Sequence, residues 1–518
     1  MTAEPDALVG SLLLRRVRLV PVDRSSGPPE PISRSTVDVR VTAGAVAEIA
    51  PRLERTAGEE VVDAEGRFLI PGLWDTHVHM ASWTIARRRL DLSGARGPQE
   101  AADIVRARLA QLAATGSRPA ALVGFGHRSA TWAELPTVAL LDEAAPDIPV
   151  ALISGDGHTG WVNSALLRHF GLGPRDGPLE ENDWFSIHDA VADLAGLRID
   201  DDGYRRGIEH AARRGLVGIV DMQDAANTIE WPERVSRGLH GLRVVAATYP
   251  RLVDPLLLDT GYRTGAALPG GGGLVTVGPV KVISDGALSS RTALCFDPYS
   301  GTPGATSHGV GNISPADLTD LAHRAHRNGL EMAVHAIGDR ALSTALDSLE
   351  AAGAGGAIEH AQLALADDID RMATLGLRAS VQPAHLLDDR DTVDRVWAGR
   401  SNRSFAFASM LRAGVRLTLG SDAPIAPPDP WLAMAAAVHR SGDDRPAWHP
   451  EQALSAREAL AASTNGAGTV RPGSTADFAV LDESPYAPGE SSADQAAVLR
   501  EMPVVGTVVA GRFSHRGW

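Results

Sequence analysis

Hydrophobic and polar positions change rhythm twice along the chain. Residues 1–65 carry short β-rich runs at 12–14, 17–22, 37–41 and 46–49, separated by Pro, Gly and Ser. The C-terminal end reads alike, with runs at 476–481 and 503–510 followed by Gly511-Arg512. Between these ends, short apolar runs alternate with helical stretches rich in Ala, Leu and Arg. Candidate strands lie at 68–74, 120–125, 150–154, 218–221, 242–248, 277–283, 330–335, 357–360, 378–382 and 415–419. Candidate helices lie at 100–114, 204–214, 315–328, 341–352 and 366–375. Strand–helix alternation repeated this often predicts parallel βαβ units. The expected fold is α/β: a (β/α)8 TIM-like barrel with insertions over 66–467, and a small β-sandwich domain formed from both chain termini, 1–65 and 468–518. Ten candidate strands are two more than such a barrel uses, and 120–154 is the expected place of the excursion.

Composition narrows the functional classes. The chain has 518 residues, 44% of them hydrophobic, which suffices for a large core. A formal net charge of −15 with no long run of like charge speaks against nucleic acid, which demands basic stripes. The single cysteine, Cys295, excludes an intrachain disulfide framework and fits a reducing compartment, so a cytoplasmic location is expected. The apolar stretch 8–14 has acidic residues before it and Arg15-Arg16 after it, the reverse of a signal peptide, and reads as an ordinary strand. Nowhere do about 18 apolar residues run together, so no membrane span is expected.

The strongest local signal is FLIPGLWDTHVHM at 68–80. An apolar strand ends in Asp75-Thr76-His77-Val78-His79, and residues at i and i+2 of a strand share a face. His77 and His79 therefore project together at the C-terminal end of a barrel strand, where barrel active sites lie. Two adjacent imidazoles make a poor core and a good chelate; the bland alternative is a pair of surface histidines in a loop. Apolar strands run in the same way into Lys281, His335, His360 and Asp422. Taken singly, each has an ordinary structural reading. In a barrel, all these strand ends converge on one mouth. Histidine and aspartate suit zinc or a similar divalent ion. An ammonium has no place between two dications, but addition of CO2 turns lysine into a carbamate whose two oxygens can bridge metals about 3.5–4 Å apart.

The motifs carry a resemblance over nearly the whole chain. PGLWDTHVH is followed in order by SGDGHTGWVNSALL (154–167), VKVISDGALSSRTA (280–293), VHAIGDRA (334–341), IEHAQL (358–363), SVQP (380–383), LGSDAPI (419–425) and RPGSTADFAVLD (471–482). The series resembles the amidohydrolase superfamily, in the family 3 branch that includes N-substituted formamide deformylase-like metal-dependent hydrolases. The resemblance implies two divalent metal ions, zinc first among them. His77 and His79 with Asp422 would hold the more buried ion, N6-carboxylated Lys281 would bridge both, and His335 with His360 would hold the second. Asp422 would also be the catalytic proton acceptor. The chain departs from many relatives at Gly124-Phe125-Gly126-His127, where they read Gly-x-Gly-Trp, and it is shortened near Ala467-Gly468. The first departure bears on the substrate pocket, neither on the ligands.

His158 and Trp161 in the segment 156–163, with Gln382 and His385, are candidate pocket residues; Asp156 and Asn163 read equally well as a structural turn with an N-cap. The expected function is metal-dependent hydrolysis of a C–N bond of an amide, N-formyl or cyclic amide small molecule by metal-activated hydroxide. An esterase or lactonase with the same site is the near rival, and a non-catalytic binding barrel the distant one. The expected partner is a small-molecule substrate, with no nucleic acid and no membrane; a homodimer stays open.

Overall fold

The computed structural model describes residues 11–22, 31–86, 88–129, 132–155, 157–197, 200–253, 261–300, 307–486 and 491–518. Asp156 and the first residues of the 8–14 stretch lie outside them.

Eight parallel strands form the barrel: Leu73–Val78, Leu216–Asp221, Arg243–Thr248, Val275–Ile283, Met332–Ala336, Gly356–His360, Arg378–Val381 and Arg416–Leu419. They are paired in that order. A parallel bridge between Val78 and Ala423 joins the last strand to the first. Strands covered on both faces read as continuous apolar runs, and Gly356–His360 is buried at every position. Eight of the ten candidate strands thus lie in the barrel. The other two, at 120–125 and 150–154, lie in an inserted unit over Ala81–Tyr204. That unit has its own sheet, ordered Leu179–Glu180, Thr159–Val162, Val150–Ser154, Leu122–His127, Leu90–Asp91. It also has its own apolar cores, one around Val123, Ile153, Leu166 and Trp184, another around Val105, Leu141, Leu152 and Trp161.

The chain termini build one further sheet, within the same compact unit as the barrel. Leu12–Leu19 pairs with Val37–Thr42 on one side and with Phe68–Pro71 on the other; Phe68–Pro71 continues into Phe478–Leu481, then Val504–Val509 and Arg512–Arg516. Leu12, Leu14, Val39, Val41, Leu69, Phe478, Val480 and Val508 share one core. The expected strand 68–74 is therefore two strands with different duties. The break falls at Gly72, where a side chain has no room: a Cβ would lie 2.2 Å from Val217. The terminal sheet accordingly reaches past residue 65, and the barrel begins at Leu73.

The expected helices are present as Pro98–Ala114, Asp201–Arg213, Pro315–Arg327, Asp339–Ala352 and Ala366–Thr374. Pro430–His439 escaped the sequence reading because it is buried almost all round, so no polar face marks its period. Among the described residues no helix is long and apolar enough to cross a membrane.

Candidate metal centre

The closure of the barrel assembles the site. Asp422 N–H donates to His77 O at 2.7 Å, His79 N–H to Ala423 O at 2.9 Å, and the Thr76 hydroxyl to Leu419 O at 3.0 Å. The Asp75 carboxylate, 4% exposed, accepts from Ser421 N at 2.9 Å and from the Ser421 hydroxyl at 2.5 Å. Burial raises the Asp75 pKa to about 6 even so. Strand approach at this seam needs glycine: a Cβ on Gly420 would lie 2.7 Å from His77 N.

Strand alternation puts His77 and His79 side by side, with ring centroids 5.6 Å apart. Asp422 Oδ1 lies 3.5 Å from His77 Nε2 and 3.3 Å from His79 Nε2. Lys281, 1% exposed, brings Nζ to 3.2 Å from His77 Nε2. The His360 ring is 4.9 Å from that of His77 and 4.5 Å from that of His335. All six expected ligands therefore meet at one end of the barrel.

Two of them do so against the ordinary rule of strands. Alternation sends neighbours to opposite faces, yet both Glu359 and His360 reach the cluster. His360 has φ +69° and Asp422 φ +56°, left-handed conformations that re-aim each side chain as its strand ends. Such geometry costs on the order of 1–3 kcal/mol per residue and persists where the surroundings impose it.

Glu359, inside the motif at 358–363, carries no assignment in the sequence analysis. Its Oε2 lies 2.6 Å from His77 Nδ1, both side chains being buried. Burial raises the Glu359 pKa, but His77 and Lys281 outweigh it and the carboxylate stays ionised. An ionised acceptor there assigns the proton to Nδ1 and leaves the Nε2 lone pair facing Asp422 and Lys281, the tautomer a ligand needs. Burial lowers the His77 imidazole to about 4, Lys281 acting in the same direction. Burial also opposes the Asp422 charge, but His77, the hydrogen bond from His79, and His360 hold its carboxyl well below the usual range. For Lys281, burial lowers the amine pKa against the pull of Glu359 and Asp422.

The donor set fits divalent ions. His77, His79 and Asp422 each place a ligand atom within 4.8 Å of the others, and so do His360, His385 and Asp422. Nδ1 of His360 and Nε2 of His385 are buried without a hydrogen-bond partner. His335, expected to share the second ion with His360, has its ring 4.5 Å from that of His360. Its Nε2 sits 3.1 Å from Gly286 O and 3.3 Å from Asp285 Oδ1. Asp285, fully buried, also accepts from the backbone N–H groups of Leu294, Ile337 and Gly338, and so fixes the loop beyond Lys281.

The amidohydrolase family model matches residues 60–515. The chain belongs to the amidohydrolase family. Protein LONG AFTER FAR-RED 3 of Arabidopsis thaliana is 30% identical, over 88% of this chain and 83% of the relative. N-substituted formamide deformylase of Arthrobacter pascens is 27% identical, over 92% and 95%. The crystal structure of an uncharacterized metal-dependent hydrolase from Pyrococcus horikoshii covers 92% of this chain and 99% of its own, with a TM-score of 0.72 at 25% identity. This amidohydrolase thus joins a family of hydrolases, with histidine and aspartate donors gathered at its barrel mouth.

Of the expected pocket residues, Trp161 is corrected by the amidohydrolase's structure. It is fully buried in the core of the inserted unit, its Nε1 donating to Thr137 O at 2.8 Å and its ring edge-on to Trp132 at 6.3 Å. No face of it is left for a substrate. His158 is half-buried beside the exposed Phe185 ring at 5.5 Å. Gln382 ends the seventh barrel strand, 2% exposed, with its amide nitrogen donating to Ser380 O at 3.2 Å.

Proposed function

We propose that this amidohydrolase cleaves a C–N bond in a small amide, an N-formyl amine or a cyclic amide, using two divalent ions with zinc as first candidate. The observation that carries the reading is the meeting of His77, His79, Asp422 and His360 around buried Lys281. His77, His79 and Asp422 would hold one ion, and His335 with His360 would contribute to the second. Burial favours the neutral amine of Lys281, the form that would add CO2 to give a carbamate and release one proton. When bound, such ions polarise a carbonyl and make water nucleophilic near neutral pH.

The chain's own residues supply the rest. Glu359 holds the His77 ring in register through Nδ1. Asp422, kept ionised, accepts the proton of the attacking water and passes it to the leaving nitrogen, which is expelled as a neutral amine. Gln382, at the barrel mouth, and His158 are the proposed substrate contacts. The N-formyl option takes its support from the deformylase relative.

The test is turnover of a panel of amides, N-formyl amines, lactones and esters by metal-replete and metal-stripped protein. Metal-dependent cleavage within the amide group is expected. Turnover of lactones and esters alone would give the chemistry to the rival carbonyl class, and activity unaffected by stripping would end the metal reading.

A further inference from the structure

We infer that His385 is a further ligand of the second divalent ion. The inference rests on the two-ion reading above and concerns a residue outside the six-member set.

His385 opens the helix His385–Val396, just after the seventh barrel strand, and the buried Val393 and Val396 anchor that helix. Its ring stacks at 6.2 Å and 21° on that of His360. The two imidazoles present nitrogens that nothing satisfies: Nδ1 of His360 and Nε2 of His385 are both buried without a hydrogen-bond partner. Leaving such an atom unmatched is unfavourable, and here two of them belong to stacked rings at the mouth of one barrel. One ligand atom from each of His360, His385 and Asp422 falls within 4.8 Å of the other two, the spacing of donors around a single cation. His335, in contrast, has its Nε2 on the Gly286 carbonyl and the Asp285 carboxylate. His385 would add to the second ion's donors a nitrogen from the helix side of the mouth that the strand ends alone do not provide.

The experiment titrates metal-stripped full-length protein with cobalt(II), followed by visible absorption and by calorimetry. The wild-type chain takes up two equivalents. His385→Ala and His385→Gln are expected to bind the first equivalent as the wild type does, which also reports that they are folded, and to bind the second at least about tenfold more weakly, with a changed absorption band for that equivalent. Should either variant take up two equivalents with wild-type affinity and spectrum, the inference falls and the two-ion reading stands. A variant with both ions intact and a raised KM makes His385 a substrate contact and likewise overturns it. A wild-type chain that takes up one equivalent only removes the two-ion reading and this inference with it.

Discussion

The barrel mouth and the inserted unit both bury polar side chains, and Asn163 of the unit is held quite differently from the imidazoles of the mouth. In the inserted unit, Asn163 is fully buried and every bond it can make is made. Its Oδ1 accepts from Val150 N and Leu166 N, each at 3.0 Å, and its Nδ2 donates to Ala145 O at 2.7 Å and Ile148 O at 2.8 Å. It caps the helix Ser164–His169 while tying two loops to a strand. At the mouth, two imidazole nitrogens are buried with no partner, two carboxylates are held ionised, and two residues are bent into left-handed backbone. A buried polar group that is satisfied by its own fold is structural. One that is brought into a cluster and left unmatched awaits something from outside the chain.

Breaking the mouth gives the largest effects. Lys281→Ala removes the link between the ion positions, so turnover and at least one equivalent of metal are expected to be lost, with short carboxylic acids restoring part of both. Elemental analysis checks this, and unchanged metal content would refute the bridge. Asp422→Asn keeps the side chain's size and one ligand oxygen but cannot accept a proton. Its kcat is expected to fall by about 10² to 10⁴ while the ions are largely retained. Near-normal turnover at full metal loading would take the proton step away from Asp422.

How much of this was legible beforehand follows from the same contrast. Strand ends carrying His or Lys were readable because a period of two and a convergent barrel mouth are enough to bring His77, His79 and Lys281 together. Glu359 was harder: alternation puts it on the face opposite His360, and only the positive φ of His360 brings both to the cluster. His385 lies on a helix after the strand end, where spacing says nothing about direction. Trp161 misled for a different reason, whereas Asn163 is the N-cap that the sequence offered as one of its two readings. Trp161 belongs to a motif, but a motif fixes neighbours in sequence and not which side of a sheet faces a core. The split of 68–74 and the all-buried helix Pro430–His439 were hidden likewise, since tertiary packing decided them.

The Glu359 contact sharpens the comparison at the mouth. Glu359→Gln keeps the shape, but its amide can face His77 Nδ1 with either a donor or an acceptor and carries no charge. Metal affinity and activity are expected to drop about 10- to 100-fold, the usual worth of an outer carboxylate on a ligating histidine. Unaltered affinity would leave Glu359 a packing residue. Asn163→Ala tests the other region. It strands several backbone groups in a dry interior, so unfolding free energy is expected to fall by about 1–3 kcal/mol, read from denaturant melts, with metal content and kcat per folded molecule unchanged. A change in substrate preference at wild-type stability would return Asn163 to the pocket.

The smallest effect should come from Trp161→Phe, and it decides most directly whether the motif around it is structure or site. The indole ring sits among Val105, Leu141, Leu152 and Trp132, and its one polar atom donates to Thr137 O. Phenylalanine keeps most of the apolar contact and the aromatic edge toward Trp132 while removing that hydrogen bond. What is lost is one neutral bond, worth about 1 kcal/mol, plus a small void where the second ring stood. A residue with no exposed surface cannot touch a substrate without local opening, so kcat, KM and the order of preferred substrates should match the wild type while stability slips. A shifted substrate order with unchanged stability would mean that the inserted unit opens around Trp161 during turnover, and the line drawn here between satisfied and unmatched polar groups would then fail at that position.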